Sequence, residues 1–317
     1  MSFDDFDGYK SFDDLIYFNQ SLDTRATEAF KENGLESGEG YCIGILGSEV
    51  RDENLSWSPY EIIVFVKDLD KFKQSNFLYE LNCRAAASDD HFDSYVEVKS
   101  YELGFNTYFI NDNGDDIYDT NLISPSRILT SKVIVGDENI RLNIAKNILT
   151  NCLDKKVISS VKSYIKECIK ICTLGFQRRS GNCIVHIDYE TKFLHYNGET
   201  HRGIKESTIR GIQNLLILKE LKYCKENPTI VDKILLFPND IVSRIETHFS
   251  TLYWLNESDK NELIKVYKRS IEIQFESIFN FCDSGFEKPF VKIKIDTSDI
   301  EMIQNFGETL KRLLQKL

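Results

Sequence analysis

The sequence predicts an α+β protein built of two domains. Its 317 residues are enough for two ordinary domains with separate hydrophobic cores. Short apolar runs separated by turn residues dominate the first part of the chain, and long stretches with helical spacing dominate from about residue 139. We therefore expect a mixed α/β domain with a small mixed sheet over residues 1–138. A mainly helical domain that carries a β-hairpin is expected over residues 139–317.

The first domain is expected to contain both helices and strands. A helix over residues 11–34 should end at Asn33–Gly34, because glycine commonly ends a helix. Apolar or alternating runs predict strands at 41–46, 61–67, 91–99 and 106–111. Residues 72–88 show the apolar spacing of a further helix, and the Asn-, Asp- and Gly-rich residues 111–116 predict a turn.

The second domain is expected to be a series of helices with two interruptions. Helical spacing predicts helices at 139–153, 155–175, 206–226, 239–255, 258–282 and 299–316. Residues 182–197 have the pattern of a hairpin. Residues 290–295, FVKIKI, alternate strictly between apolar and basic side chains, which predicts a strand.

Composition excludes several classes of protein. The net charge of −11 disfavours broad, sequence-independent nucleic-acid binding, which needs a basic surface, although a local basic pocket remains compatible with it. No apolar run approaches the roughly 20 residues of a membrane span, and the acidic start MSFDDFDGYK is unlike a secretion signal. Eight cysteines without a CxxC pair predict reduced, mostly buried thiols in a cytoplasmic protein.

The stretch most informative about chemistry is Gly47–Glu61, GSEVRDENLSWSPYE, which joins the first two predicted strands. A Gly-Ser turn after a strand lets backbone N–H groups approach a phosphate, and the Ser48 hydroxyl can add a contact. Glu61 stands just before the next apolar run, where a carboxylate can bind a metal ion. Bound phosphate and Mg²⁺ are what nucleotidyl transfer requires.

This stretch resembles the G-S-x-G-R-x-E-x4-S-D-x-D signature of bacterial signal-protein uridylyltransferases and related nucleotidyltransferases with a helical substrate-binding domain. The spacing matches without a gap, and the residues identical to the signature are Gly47, Ser48, Arg51, Glu53 and Ser58. Glu61 replaces the second aspartate conservatively. Val50 replaces a glycine and Pro59 replaces the first aspartate, so the motif is degenerate.

A second match lies far downstream, at residues 201–213. Lys205, Arg210 and Gln213 fall on matching positions of the family's K-x-G-x-G-G-L-R-D-x-Q segment, whereas its glycine pair and aspartate are not matched. The order of predicted elements also fits, including a similar segment at 122–137. The resemblance thus spans most of residues 11–226.

The resemblance implies Mg²⁺-dependent transfer of a nucleoside monophosphate from a nucleoside triphosphate to a protein or small-molecule acceptor. Residues implied to bind the nucleotide are Gly47, Ser48, Arg51, Lys205 and Arg210. Residues implied to bind the metal and support catalysis are Glu61 and Glu97, the latter because it lies in the next predicted strand. Glu97 has an alternative role as a solvent-facing residue of an edge strand, and Lys205 and Arg210 could instead form salt bridges with Glu206 or with the first domain.

Two other hypotheses remain open. Proline offers neither a carboxylate nor an N–H, so Pro59 favours a pseudoenzyme that binds a nucleotide or a partner protein as a regulatory module. Alternatively, the chain is a helical interaction protein unrelated to nucleotides. The sequence also contains a group of metal-ligating residue types, His186, Asp188, His195 and His201. Because their spacing does not specify a tetrahedral site, we expect ordinary surface or core histidines and not a zinc site.

Overall fold

The computed structural model describes eleven segments of the chain, which form two compact units. The segments are residues 28, 31–34, 42–46, 61–65, 106–110, 129–147, 149–150, 155–179, 182–195, 202–283 and 292–317. The first unit comprises the described residues of Met1–Leu153 and Asn227–Leu235, and the second those of Asp154–Glu226 and Leu236–Leu317. These residues are mostly helical with small sheets, which confirms a mixture of α and β structure.

A mixed sheet forms part of the first unit. Its strands are β1 (Cys42–Leu46), β2 (Glu61–Phe65), β3 (Asn106–Ile110) and β4 (Lys132–Gly136). They lie in the order β3-β2-β1-β4, with β1 antiparallel to both β2 and β4 and with β2 parallel to β3. Their valine, isoleucine and aromatic residues suit a pleated, paired backbone. The strands predicted at 41–46, 61–67 and 106–111 are confirmed, whereas the pattern predicted no element at β4.

The end of the first predicted helix is described at residues 31–34. Lys31 and Glu32 are helical, and the N–H of Gly34 donates to the Lys31 carbonyl at 3.1 Å. Gly34 has a φ of 65°, in the left-handed region that favours glycine, so the predicted helix end is confirmed. The helix predicted at 72–88, the strand at 91–99 and the turn at 111–116 lie outside the described residues.

Helices make up most of the remaining described residues. The α-helices are α1 (Glu138–Asn147), α2 (Lys155–Leu174), α3 (Arg202–Ile204), α4 (Arg210–Glu226), α5 (Val231–Ile234), α6 (Ile241–Thr247), α7 (Glu257–Asp283) and α8 (Thr297–Lys316). The 3-10 turn Pro228–Ile230 precedes α5, and π-helical segments cover Lys205–Ile209 and His248–Leu252. The helices predicted at 155–175, 258–282 and 299–316 are confirmed. The helix predicted at 206–226 is confirmed and has a π-helical start, whereas the one predicted at 239–255 is helical only over residues 241–252 and ends in a π-helical segment.

In the first unit, α1 is joined to α5 from a distant part of the chain. The Asp137 side chain accepts the N–H of Asn139 at 2.9 Å, which satisfies a backbone donor at the start of α1. Near the other end of α1, Lys146 donates to the Asp232 carboxylate at 2.7 Å. Residues 227–235 therefore belong with this unit although α4 and α6, on either side of them in sequence, belong to the second.

The core of the second unit forms where α2 packs against α4 and α8. The buried apolar side chains at this junction include Ile165, Ile171, Leu215, Leu218, Phe306 and Leu310. Gly307 allows close packing, because a Cβ added there would lie 2.9 Å from Thr173 Cγ2 and 3.0 Å from Cys172 Cβ. The backbones of α8 and α2 thus approach more closely than an alanine would allow.

The hairpin predicted over 182–197 is divided between two sheets. β5 (Phe176–Arg179) pairs with β6 (Asn182–Val185), whereas β7 (Ile187–Asp188) pairs with β8 (Phe193–His195). The pattern missed β5, which begins directly after Gly175 ends α2 with a φ of 76°. The strand predicted at 290–295 is confirmed as β9 (Lys292–Lys294), which pairs antiparallel with β8.

Four cysteines can be compared with the prediction of buried thiols. Among the described residues, Cys42, Cys168, Cys172 and Cys224 are free and buried. Burial raises the pKa of Cys42 and of Cys224 to about 12, so both thiols are neutral at physiological pH. Within the described segments, no helix combines the length and the apolar character needed to cross a membrane.

Candidate functional site

The backbone of the first unit brings Glu61 next to the end of β1. In the antiparallel pairing of β1 and β2, Glu61 lies opposite Leu46, the residue that immediately precedes Gly47. The predicted nucleotide-binding residues Gly47, Ser48 and Arg51 themselves lie outside the described residues. The register nevertheless places the start of β2 beside the point where the chain enters the Gly-Ser stretch.

On the other side of β2, the sheet holds a residue that the motif did not predict. Glu61 lies opposite Asn106, the first residue of β3, in the parallel pairing of these strands. Asn106 carries an amide oxygen, which can bind a hard cation but bears no charge. Its place at the start of a predicted strand was visible in the sequence, although nothing in the sequence indicated its pairing. Glu97, the predicted third carboxylate, lies outside the described residues.

In the second unit, Lys205 and Arg210, two of the predicted nucleotide-binding residues, lie at opposite ends of a π-helical segment. Lys205 begins the segment Lys205–Ile209, and Arg210 follows its last residue. Arg210 Nη1–H donates to Glu206 Oε1 at 2.6 Å and to the Tyr164 hydroxyl oxygen at 2.7 Å. The Tyr164 hydroxyl donates in turn to the other oxygen of Glu206. Arg210 therefore makes the salt bridge with Glu206 that was one of its two expected roles.

We call Tyr164, Glu206 and Arg210 the Arg210 cluster. Burial would raise the pKa of Glu206, but the charge of Arg210 and the hydrogen bond from Tyr164 outweigh it and hold that pKa below its usual range. Burial raises the pKa of the Tyr164 phenol. At neutral pH the cluster therefore contains one anion, one cation and a neutral phenol. The Arg210 side chain is 35% exposed against 13% for Glu206, so part of the arginine side chain reaches solvent.

The local backbone around the Arg210 cluster is tightly packed. A Cβ added at Gly203 would lie 2.8 Å from the His186 carbonyl oxygen and 2.9 Å from Leu194 Cδ2, so α3 lies directly against the β7–β8 hairpin. On the other side, Thr208 Oγ1 and Ser270 Oγ form a buried hydrogen bond of 2.6 Å that links the π-helical turn to α7. π-helical turns are frequent at functional sites, and this one is held in place from two sides.

The histidines do not form a metal centre within the described residues. His186 is 2% exposed and lies between β6 and β7, as a core histidine would. The side chain of His195 and all of His201 lie outside what the structure describes. Among the described residues, no group of three or more histidine, cysteine, aspartate or glutamate side chains could hold a metal ion.

No protein-family model matches this chain, and no curated protein matches it. The resemblance to uridylyltransferases therefore depends on the two motifs and on the order of the predicted elements.

Proposed function

We propose that this protein is a nucleotidyltransferase-like enzyme that moves a nucleoside monophosphate from a nucleoside triphosphate to a protein or small-molecule acceptor in the cytoplasm. The observation that carries the proposal is the pairing of Glu61 with Leu46. The pairing supports a carboxylate-bearing residue beside the strand end that immediately precedes Gly47 and Ser48 in sequence. That adjacency is what a site for triphosphate and a divalent cation needs.

The residue types at this end of the sheet fit Mg²⁺ in part. Mg²⁺ is commonly bound by one or two carboxylates together with water and substrate phosphates. Glu61 would provide one carboxylate and Glu97 the second, and Asn106 lies beside Glu61 as a possible neutral oxygen donor. When bound, Mg²⁺ would neutralise charge on the transferring phosphate.

The remaining residues of the two motifs would bind the phosphates of the nucleotide. Gly47 and Ser48 would hold the triphosphate through backbone N–H groups and a hydroxyl, and Arg51 would balance its charge. Lys205 and Arg210 are the other residues that the resemblance implies for binding phosphate, and Arg210 already pairs with one anion, the Glu206 carboxylate.

The second candidate function is a regulatory module that binds a nucleotide or a partner protein without chemistry. Pro59 favours it, because proline removes a metal-binding carboxylate at the position of the family's first aspartate. The uncharged Asn106 beside Glu61 is consistent with the same reading.

Calorimetric titration of the full chain with ATP, GTP, CTP and UTP, with and without Mg²⁺, separates these possibilities. Mg²⁺-dependent binding together with transfer of an α-phosphate label supports the enzyme, and both should be lost in Glu61→Ala. Metal-independent binding without transfer supports the regulatory module, particularly if Pro59→Asp then creates Mg²⁺-dependent transfer. No binding of any nucleotide would overturn the enzyme and the nucleotide-binding form of the regulatory module.

A further inference from the structure

A buried polar network joins α4, α6 and the π-helical segment His248–Leu252. We call Glu220, Arg244, His248 and Trp254 the His248 network; its first three side chains are at most 1% exposed. Arg244 donates from Nε–H and Nη2–H to the two oxygens of Glu220, each at 2.7 Å, and from Nη1–H to the Pro238 carbonyl at 2.8 Å. The buried charges are thus paired and hydrogen-bonded, as a stable buried ion pair requires.

Two contacts determine where the proton of His248 lies. The Trp254 indole can only donate, and its Nε1–H lies 2.9 Å from His248 Nδ1, so Nδ1 must accept. His248 Nε2 lies 2.7 Å from Glu220 Oε1, which as an ionised carboxylate can only accept, so Nε2 carries the proton. The neutral imidazole satisfies both neighbours. A protonated imidazole would direct a second N–H from Nδ1 at the indole N–H.

The surroundings of His248 as a whole disfavour the doubly protonated, charged imidazole. Burial is the main cause that lowers the pKa of His248 below its ordinary value. The hydrogen bond and charge of Glu220 act in the opposite sense, and the charges of Arg244 and Lys219 add to the lowering. Phe237 and Trp254 are also in edge contact with the imidazole, at centroid distances of 5.8 and 6.0 Å. Glu220 itself has a pKa of about 2, so it stays ionised in weak acid.

The backbone is unusual at Tyr253, between the π-helical segment His248–Leu252 and Trp254. Tyr253, the residue before Trp254, has a φ of 49° and a ψ of 31°, a left-handed conformation that bulky side chains rarely adopt. Its side chain is 81% exposed, so its own burial does not hold it there. The next two residues are both anchored: Trp254 donates a hydrogen bond to His248, and Leu255 is buried. These contacts restrain the conformation of Tyr253.

We propose that His248 and Trp254 form a pH-sensitive clasp. When a proton binds Nδ1 of His248, the indole N–H of Trp254 loses its acceptor and faces a donor instead. The clasp then opens, Tyr253 leaves its left-handed conformation, and Trp254 moves into solvent while the rest of the unit stays folded. Weak acid thereby exposes the half-buried side chain of Trp254, which neutral pH holds against His248.

Tryptophan fluorescence tests the clasp directly. The chain has two tryptophans, so Trp57→Phe leaves Trp254 as the reporter. On acidification from about pH 8 we expect its emission to shift to longer wavelength, with a midpoint below that of an ordinary histidine, before the helical circular dichroism signal is lost. Added His248→Asn, whose side-chain oxygen keeps an acceptor near Trp254 but does not titrate, should abolish the shift. The proposal is overturned if the emission does not shift before the protein unfolds, if it changes only together with the circular dichroism, or if it changes equally in the asparagine variant.

Nitrogen NMR of the imidazole ring provides a test in the natural chain. The His248 signals are assigned among the five histidines by their loss in His248→Asn. At neutral pH we expect Nδ1 to be unprotonated and Nε2 to be protonated. Trp254→Phe removes the donor that opposes the second proton, so the titration midpoint should rise by about one pH unit, a tenfold increase in proton affinity. A midpoint that does not rise, or the opposite tautomer, would contradict the clasp.

Discussion

Replacement of Glu220 by glutamine should destabilise the second unit strongly. Glutamine keeps the shape and one oxygen acceptor of glutamate, but it leaves the Arg244 charge without a counter-charge. Arg244 and Glu220 are 1% and 0% exposed, so water cannot replace the lost partner. Breaking a buried ion pair on one side costs about 3–5 kcal/mol. Because the free energy of unfolding of a typical domain is about 5–15 kcal/mol, the loss should be a large part of the total.

Urea denaturation measures this loss. Unfolding is followed by Trp254 fluorescence in the Trp57→Phe background, and the free energies of unfolding of Glu220→Gln and the parent are compared. The matched control is Glu257→Gln, which removes an exposed ion pair with Lys260 at 2.6 Å. With Glu257 62% exposed, this pair should contribute at most about 1 kcal/mol.

A double variant separates the cost of an unpaired charge from other effects. Glu220→Met combined with Arg244→Met removes both charges, and replacing a buried pair by apolar residues of similar volume is often nearly neutral. We therefore expect the double variant to be more stable than Glu220→Gln. The reasoning is refuted if Glu220→Gln costs no more than Glu257→Gln, or if the double variant is the less stable of the two.

Four further predictions concern stability in the described residues. Gly307→Ala should lower the melting temperature, because overpacking of about 1–3 kcal/mol outweighs the higher helix propensity of alanine; a rise would contradict the close packing of α8. Gly175→Ala should reduce the yield of folded protein, since φ is 76° and the new Cβ would collide with a carbonyl of β7; a normal yield and melting curve would refute this. Arg269→Met should cost about 1–3 kcal/mol in urea, because it removes two hydrogen bonds of 2.9 and 2.8 Å to the buried Asp299. Glu220 has a pKa of about 2, below its unfolded value, so its stabilisation should be complete above about pH 4.5 and be lost as the pH falls towards 2 in acid titrations.

Most regular elements could be predicted because their side chains repeat with a clear period. The helices α2, α7 and α8 and the strands β1, β2 and β3 show this. The π-helical segments could not be predicted, since they keep the apolar spacing of an α-helix and differ only in hydrogen bonding. The hairpin at 182–197 was misassigned because the strand that pairs with β6, FQRR, lacks alternating apolar residues. Pairing with β6, and not its own pattern, makes that segment a strand.

The candidate site was predictable only where neighbours in sequence are also neighbours in space. The register places Glu61 beside the end of β1, an arrangement that two strands joined by one connection allow. Glu206, four residues before Arg210, was an expected partner for the same reason. Tyr164 lies 42 residues from Glu206 and reaches it through the packing of α2 on α4, which no local pattern specifies.

Because residues 227–235 belong to the first unit, the order in which the two units can be completed during translation differs from their order in the sequence. Synthesis from the N-terminus delivers α2, α3 and α4 of the second unit before α5 emerges to join α1. The first unit therefore cannot complete its structure on the ribosome until more than two thirds of the chain has been translated. A stalled or proteolytically shortened chain that ends after α1 lacks α5, and with it the Lys146–Asp232 contact. Neither unit corresponds to a single stretch of the gene, so exchange between genes could transfer the first unit intact only together with α2, α3 and α4.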